Sequence, residues 1–233
     1  MKEPIDYFEG DYKFYPDVFK NKEFLDTKKY LIELNLGDYA DKLHPNSLDN
    51  IIYAELEYQA NKQDPLYDFS TITVRYSKTF EEEIYRFMQK LVDFLAKKDP
   101  SILEITWSVQ WSVQKKEFSL RDLPSNKPNL GSYKHILHRL EKAIDNLPQD
   151  LSESLHLVRT TLIETIRTFQ ENRNKSAHGS EKASLKEAQT LRDKILGIKD
   201  HSILKGMITS KETLKPTKPA FSLGLRGIRI VRK

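Results

Sequence analysis

The sequence has no cysteine and no long hydrophobic run. Without cysteine the chain has no disulfide, no thiolate nucleophile and no cysteine-bound zinc, which favours a reducing compartment. No stretch approaches the ~18 consecutive apolar residues that a transmembrane helix needs. The start, Met1 to Asp6, also lacks the apolar stretch of a secretory signal. We therefore expect a soluble, cytoplasmic protein with no membrane contact.

The motifs of several common enzyme classes are also missing. The sequence has no phosphate-binding loop of NTPases, no dinucleotide-binding glycine turn, no zinc-protease histidine pair and no serine-hydrolase nucleophile elbow. His135, His138 and Glu141 are spaced three apart on one helical face, which is compatible with a metal, but polar-face histidines of this kind are usually solvated. The sequence therefore predicts no cofactor and no metal site.

Four long segments carry apolar residues at spacings of three and four, the pattern of amphipathic helices. The first begins at Thr79, which with Glu82 has the form of a capping box, and it stops before Pro100. The others run from Ser132 to Leu147, from Asp150 to Phe169 and from Ser180 to Leu196, before Gly197. Short connections between them predict a mainly α fold, namely an antiparallel helical bundle.

Three regions are predicted along the chain. Residues 1–65 form an N-terminal extension, with helices from Glu23 to Leu36 and from Ser47, a good N-cap, to Asn61. Aromatic residues crowd the first 21 positions, where they either pack onto the folded body or offer a docking site to a partner. Residues 66–200 form the bundle, with an insert at about 102–128, and residues 201–233 form a basic C-terminal tail.

The insert contains a minor β element or a further helix. Ile105, Trp107 and Val109 alternate with polar residues, which is a strand pattern, but the apolar spacing also suits a helix. A strand needs a partner, and we predict either Ser70 to Tyr76 or Gly227 to Val231 for that role.

The C-terminal tail concentrates positive charge. Residues 205–233 contain eight Lys or Arg and one acid, Glu212, which gives a net charge of +7. Such a segment serves as a phosphate-attracting arm or is simply a solvated terminus, and the sequence leaves both readings open. On the first reading, Arg226, Arg229 and Arg232 contact RNA.

The hexapeptide from Arg173 to His178 is the most informative stretch. Arginine offers a permanently charged planar fork that fits phosphate oxygens, and histidine transfers protons near neutral pH. The spacing alone arises by chance, so its position between two amphipathic helices supports the inference. Arg173, Asn174 and His178 are the predicted catalytic residues, and Lys175 is a candidate RNA contact.

The same residues resemble the motif of the HEPN domain family, in which Arg, a polar residue, a short spacer and His lie where the last two main helices meet. Two other segments agree with the family, Tyr76 to Glu83 at the first long helix and Leu130 to Tyr133 at the middle one. The resemblance covers about residues 70–200. Gly179 and Ser180 depart from the His-x-Tyr form of members that are paired with nucleotidyltransferases.

This resemblance implies a HEPN-like bundle, a homodimer in which two motifs share one cleft, and metal-independent endoribonuclease activity in a toxin-like or antiviral defence setting. The implied partners are RNA and an antitoxin or another defence-system protein. In some members a carboxylate approaches the motif, and Glu81, Glu82 and Glu83 are the candidates here. The sequence does not select among them.

A helical Arg173 and His178 would diverge, because five residues turn a helix by about 140°. We therefore expect the chain to bend between Lys175 and Ser180, with Gly179 helping the turn. In the alternative interpretation, Arg173 and Asn174 only cap a helix end, and the chain is a noncatalytic HEPN module for dimerisation or for RNA or protein binding.

Overall fold

The computed structural model describes residues 22–111, 114–177, 182–199 and 201–214. Most of these residues are helical, as predicted. The helices are α1 Lys22–Leu31, α2 Pro45–Asn61, α3 Ser70–Ala96, α4 Leu130–Asp145, α5 Gln149–Ala177, α6 Leu185–Leu196 and α7 Ile203–Thr213. Two strands, β1 Thr106–Trp111 and β2 Gln114–Ser119, lie between α3 and α4. Among the described residues no helix is both long and apolar enough to cross a membrane.

Helix α3 is the centre of the core and packs against α2, α5, α6 and α7. The predicted apolar stripe, from Phe80 to Leu95, is buried. The predicted start at Thr79 is wrong, because α3 already begins at Ser70. The hydroxyl of Thr79 does not cap the helix but donates to the carbonyl of Arg75, 3.1 Å away, within the helix. The segment from Ser70 to Tyr76 is therefore helical, and its predicted role as a strand is also wrong.

The alternating segment of the insert does form a strand. β1 pairs with β2 as an antiparallel hairpin, in which Trp107 faces Phe118 and Thr106 faces Ser119. The two aromatic rings stack with centroids 5.6 Å apart, and Trp107 is buried. The predicted partner Ser70 to Tyr76 is wrong, whereas Gly227 to Val231 lies outside the described residues. The adjacent segment from Gln114 was missed because it is mostly polar.

Helix α2 belongs to the main core rather than to an extension. It begins at Pro45, where the missing N–H of proline costs no helical hydrogen bond, and not after a cap at Ser47. Ile51, Ile52 and Ala54 are fully buried, and α2 packs against α3. The boundary predicted near residue 65 therefore separates two helices of one core. Residues 1–21 lie outside the described residues.

The beginning of the predicted tail is also part of the core. α7 buries Ile203, Leu204 and Met207 and packs against α3 and α5. Its N-cap is Ser202, whose hydroxyl accepts a hydrogen bond from the Lys205 amide at 3.3 Å. The tail predicted from residue 201 is thus wrong for residues 203–213, where an apolar helical face outweighs the basic charge. Residues 215–233, with the three candidate arginines, lie outside the described residues.

Helix α6 ends as predicted and begins later than predicted. Gly197 adopts a φ of 72°, the left-handed conformation that glycine accepts at a helix C-terminus. The N-cap is Ser184, not a residue near Ser180, and it forms a capping box with Glu187. Helix α6 therefore begins at Leu185, later than the sequence predicts.

Candidate functional site

The last turns of α5 carry Arg173 to the side of α3. The apolar stripe of α5 includes Leu162, Ile166 and Phe169, all fully buried. Phe169 stacks on Phe80 of α3, with ring centroids 4.4 Å apart. Arg173 lies one helical turn beyond Phe169, on the same side of α5. The packing of two phenylalanines thus positions the arginine next to the residue that follows Phe80.

That residue is Glu81, and its carboxylate accepts a hydrogen bond from Nη1 of Arg173. The side chain of Glu81 is 17% exposed and that of Arg173 is 47% exposed. Glu81 therefore lies at the edge of the core, whereas nearly half of the Arg173 side chain is exposed to solvent. Of the three candidate glutamates, Glu81 is the one that approaches the motif.

The other two carboxylates have different partners. Glu82 pairs with Arg86 at 2.8 Å and with Lys127 at 3.2 Å. Glu83 is buried; it accepts from the backbone N–H of His44 at 2.8 Å and pairs with Lys211 of α7 at 3.3 Å. Consecutive residues of a helix point about 100° apart, so three neighbouring glutamates serve three different surfaces of α3.

The two carboxylates near the surface differ in their electrostatics. Burial raises the pKa of Glu81 above its usual value, and the charges of Arg173 and Lys127 offset this only in part. Burial acts in the same direction on Glu82, but Lys127 and Arg86 outweigh it, and the pKa of Glu82 is lowered. The contact with Arg173 therefore offsets only part of the free-energy cost of removing the charged Glu81 carboxylate from water.

The first turn of α4 packs closely against the end of α5. A Cβ added to Gly131 would lie 2.9 Å from the side-chain nitrogen of Gln170, so any larger residue there would force Gln170 to move. Two residues later, Tyr133 is fully buried. Burial, together with the nearby Tyr85 and the carboxylates of Glu81 and Glu82, raises the pKa of its hydroxyl.

The structure describes the predicted site only in part. The backbone of Asn174 and Lys175 continues helix α5, and their side chains are not among those described. His178 lies outside the described residues, as do Gly179 and Ser180. Helix α5 continues to Ala177, so residues 175–177 are helical, and the rest of the segment in which a bend is predicted lies outside the described residues.

Other residues near the site had weaker signals in the sequence. Lys127 lies in a loop and carries no motif, so only the fold reveals its contact with Glu82. Tyr133 follows the apolar pattern of α4. This pattern predicts that the ring is buried, but not that its hydroxyl lacks a hydrogen-bond partner among the described residues. The pair of His138 and Glu141 is exposed, with 3.4 Å between Nδ1 and Oε1. Within the described part of the chain, no group of three acidic or histidine side chains is arranged to hold a metal ion.

Comparisons with protein-family models, with curated proteins and with solved structures give no match for this chain.

Proposed function

We propose that the protein is a metal-independent endoribonuclease with a HEPN-like bundle, which acts on RNA as a homodimer in a toxin-like or antiviral defence setting. One observation supports this most. Arg173, five positions before His178, is anchored by a carboxylate of another core helix and still leaves 47% of its side chain exposed. An anchored and accessible guanidinium is suited to hold a phosphate.

The proposed chemistry needs no metal. The ribose 2′-oxygen attacks the adjacent phosphorus and loses its proton to a base. The bond from phosphorus to the 5′-oxygen then breaks, and an acid gives that oxygen a proton. The products are a 2′,3′-cyclic phosphate and a 5′-hydroxyl. Arg173 stabilises the negative charge on the phosphorane, and His178 transfers a proton, since an imidazole titrates near neutral pH.

The proposal requires two copies of the chain. A single histidine cannot readily act as base and acid in the same step, so the second proton transfer falls to His178 of a second copy. Asn174 orients the histidine or the phosphate through its amide. Lys175, Arg226, Arg229 and Arg232 add phosphate contacts that increase affinity and make it depend on salt.

A noncatalytic module is the second candidate, and the pairing of Arg173 with Glu81 favours it. A guanidinium that is already neutralised by a carboxylate has less charge to offer a phosphate. In this case Arg173 ties the end of α5 to α3, and the bundle mediates dimerisation or binds RNA or a partner protein. Any RNA bound by such a module would remain intact.

Incubation of the purified protein with RNA in EDTA separates the two candidates. We expect fragments that end in a 2′,3′-cyclic phosphate, and a decrease in rate of at least about 100-fold for His178→Ala and for Arg173→Ala. Arg167→Ala and His135→Ala are matched controls, because both residues are exposed and neither belongs to the motif. Intact RNA at every wild-type concentration would support the noncatalytic module, and undiminished cleavage by His178→Ala would exclude the proposed mechanism.

A further inference from the structure

The β-hairpin between α3 and α4 is a sheet of two strands, so each strand has one edge that no other described strand pairs with. The amide of Leu120 donates to the carbonyl of Ile105 at 2.9 Å, one step before Thr106 in the register. Hydrogen-bonded and non-hydrogen-bonded pairs alternate along antiparallel strands. Thr106, Ser108 and Gln110 therefore direct their backbone N–H and C=O groups away from β2.

Two side chains bind the outward groups at the base of the hairpin. Nη1 of Arg139, on α4, donates to the carbonyl of Thr106 at 3.0 Å. On the other strand, the carboxylate of Asp122 accepts from the amide of Ser119 at 2.8 Å. Ser108 is partly exposed, and no described residue is hydrogen-bonded to its outward backbone groups. The described residues thus leave the edge of β1 open from Ser108 onward.

The two edges of the hairpin differ in charge. Strand β1 contains no charged residue, whereas β2 contains Lys115, Lys116 and Glu117. The side chains of Lys116 and Glu117 are exposed. Charged residues, lysine above all, prevent a sheet edge from pairing with another chain in natural proteins. The uncharged edge of β1 is therefore the one that is open to strand pairing.

A second copy of the chain is the occupant that this charge pattern fits. In a two-fold symmetric pair of strands, the residue at the axis lies opposite its own counterpart. For β2, every register centred on a charged residue would place Lys115, Lys116 or Glu117 opposite the same residue of the other copy, and like charges directly opposite each other destabilise a strand pair. Strand β1 meets no such repulsion in any register.

We propose that β1 pairs antiparallel with β1 of a second copy, with Ser108 opposite Gln110 of that copy. This register uses outward groups that Arg139 does not occupy, and it places Val109 opposite its own counterpart at the two-fold axis. Each pair of Ser108 and Gln110 exchanges two backbone hydrogen bonds, so two hairpins form one continuous sheet. The inference rests on the proposed function, because it names the surface that holds the homodimer together.

Sedimentation velocity over a range of protein concentrations tests the pairing. One short strand is a small interface, so we expect a dimer that dissociates in the micromolar range. Ser108→Pro removes an outward N–H and no hydrogen bond of the hairpin itself. It should weaken dimerisation at least about tenfold, since symmetry removes one hydrogen bond from each of two pairs. Glu117→Pro removes the outward N–H directly opposite, on β2, and is the control that should dimerise normally.

Two double variants test the register. Ser108→Lys with Gln110→Lys places like charges opposite each other across the interface and should abolish the dimer. Ser108→Glu with Gln110→Lys places opposite charges there and should retain it. Both proteins are changed at the same two positions, so a difference between them does not come from misfolding of the hairpin. Equal dimerisation of the two would refute the pairing.

Hydrogen exchange of the Ser108 amide distinguishes other occupants of the edge. Protection that increases with protein concentration supports the pairing. Protection in the dilute monomer that is lost on deletion of residues 215–233 would assign the edge to the chain's own C-terminal segment and overturn the pairing. A dimer that Ser108→Pro leaves unchanged would also overturn it, but the homodimer of the proposed function would stand. A chain that is monomeric at every concentration would refute the pairing and that homodimer together, while the RNA cleavage assay tests the nuclease separately.

Discussion

Two arginine–glutamate pairs in this molecule have the same chemical groups but opposite surroundings. Arg192 of α6 binds Glu55 of α2 with two N–H groups, at 2.7 and 2.8 Å, and these side chains are 14% and 2% exposed. Tyr76 also donates to Glu55, and the guanidinium lies over the ring of Tyr58. Arg173 binds Glu81 through one N–H group and remains nearly half exposed.

The difference shows which pair can exchange partners. The Glu55 carboxylate lies in the core and accepts hydrogen bonds from two N–H groups of Arg192 and from the hydroxyl of Tyr76. A ligand therefore cannot reach this carboxylate, which already has its hydrogen-bond partners. The Arg173 side chain is nearly half exposed to solvent, and burial raises the pKa of its partner Glu81. A sealed pair holds helices together, whereas an open and incompletely compensated pair is suited to binding.

Arg192→Ala should have the largest effect on stability. The substitution leaves Glu55 buried with one remaining phenolic donor, and we expect the free energy of unfolding to fall by about 3–5 kcal/mol. Arg173→Ala should lower it by less than about 1 kcal/mol, because solvent screens the open pair. Urea denaturation of both variants measures the difference. Similar losses in the two proteins would contradict the distinction between a sealed pair and an open one.

Lys211→Ala should have an intermediate effect. Lys211 connects α7 to the buried Glu83, and the backbone N–H of His44 remains as a second donor when the lysine is lost. We expect a loss of about 2 kcal/mol, the cost of removing one hydrogen bond to a charged group. Lys199→Ala is the control, since Lys199 is exposed in its pair with Asp193. An unchanged midpoint in urea for Lys211→Ala would argue against α7 as an integral part of the core.

Helix α7, compared with α3 and α5, shows which helices the apolar spacing of the sequence predicts and which it does not. The stripes of α3 and α5 were predictable because many apolar residues repeat at helical spacing. Ile203, Leu204 and Met207 have the same spacing, but they lie at the start of a long basic segment. The net charge of residues 205–233 therefore favoured the prediction of a tail over that of a helix. Similarly, the segment from Ser70 to Tyr76 was predicted as a strand, and packing against the other helices overrides its local preference.

The candidate site was predictable to a similar degree. Its arginine follows from the motif and from the position of Phe169 in the apolar stripe of α5. The choice of Glu81 over its two neighbours depends on which helix packs against which side of α3, and the sequence of α3 alone does not contain that information. The buried hydroxyl of Tyr133 likewise follows from how α3, α4 and α5 meet.

Glu81→Gln tests the open pair through the dependence of stability on pH. The folded protein raises the pKa of Glu81 above the ordinary value of 4.5, so the ionised carboxylate destabilises the fold relative to the neutral acid. This cost is present above the raised pKa, decreases as the pH falls through it, and is absent below 4.5, where both states are protonated.

Glutamine mimics the neutral acid at every pH. We therefore expect Glu81→Gln to be slightly more stable than the wild-type protein at about pH 7 and equal to it below pH 4.5, as measured by urea denaturation across this range. A variant that is less stable at neutral pH would mean that the attraction of Arg173 outweighs the burial of Glu81, and the open pair would then be structural like the sealed one.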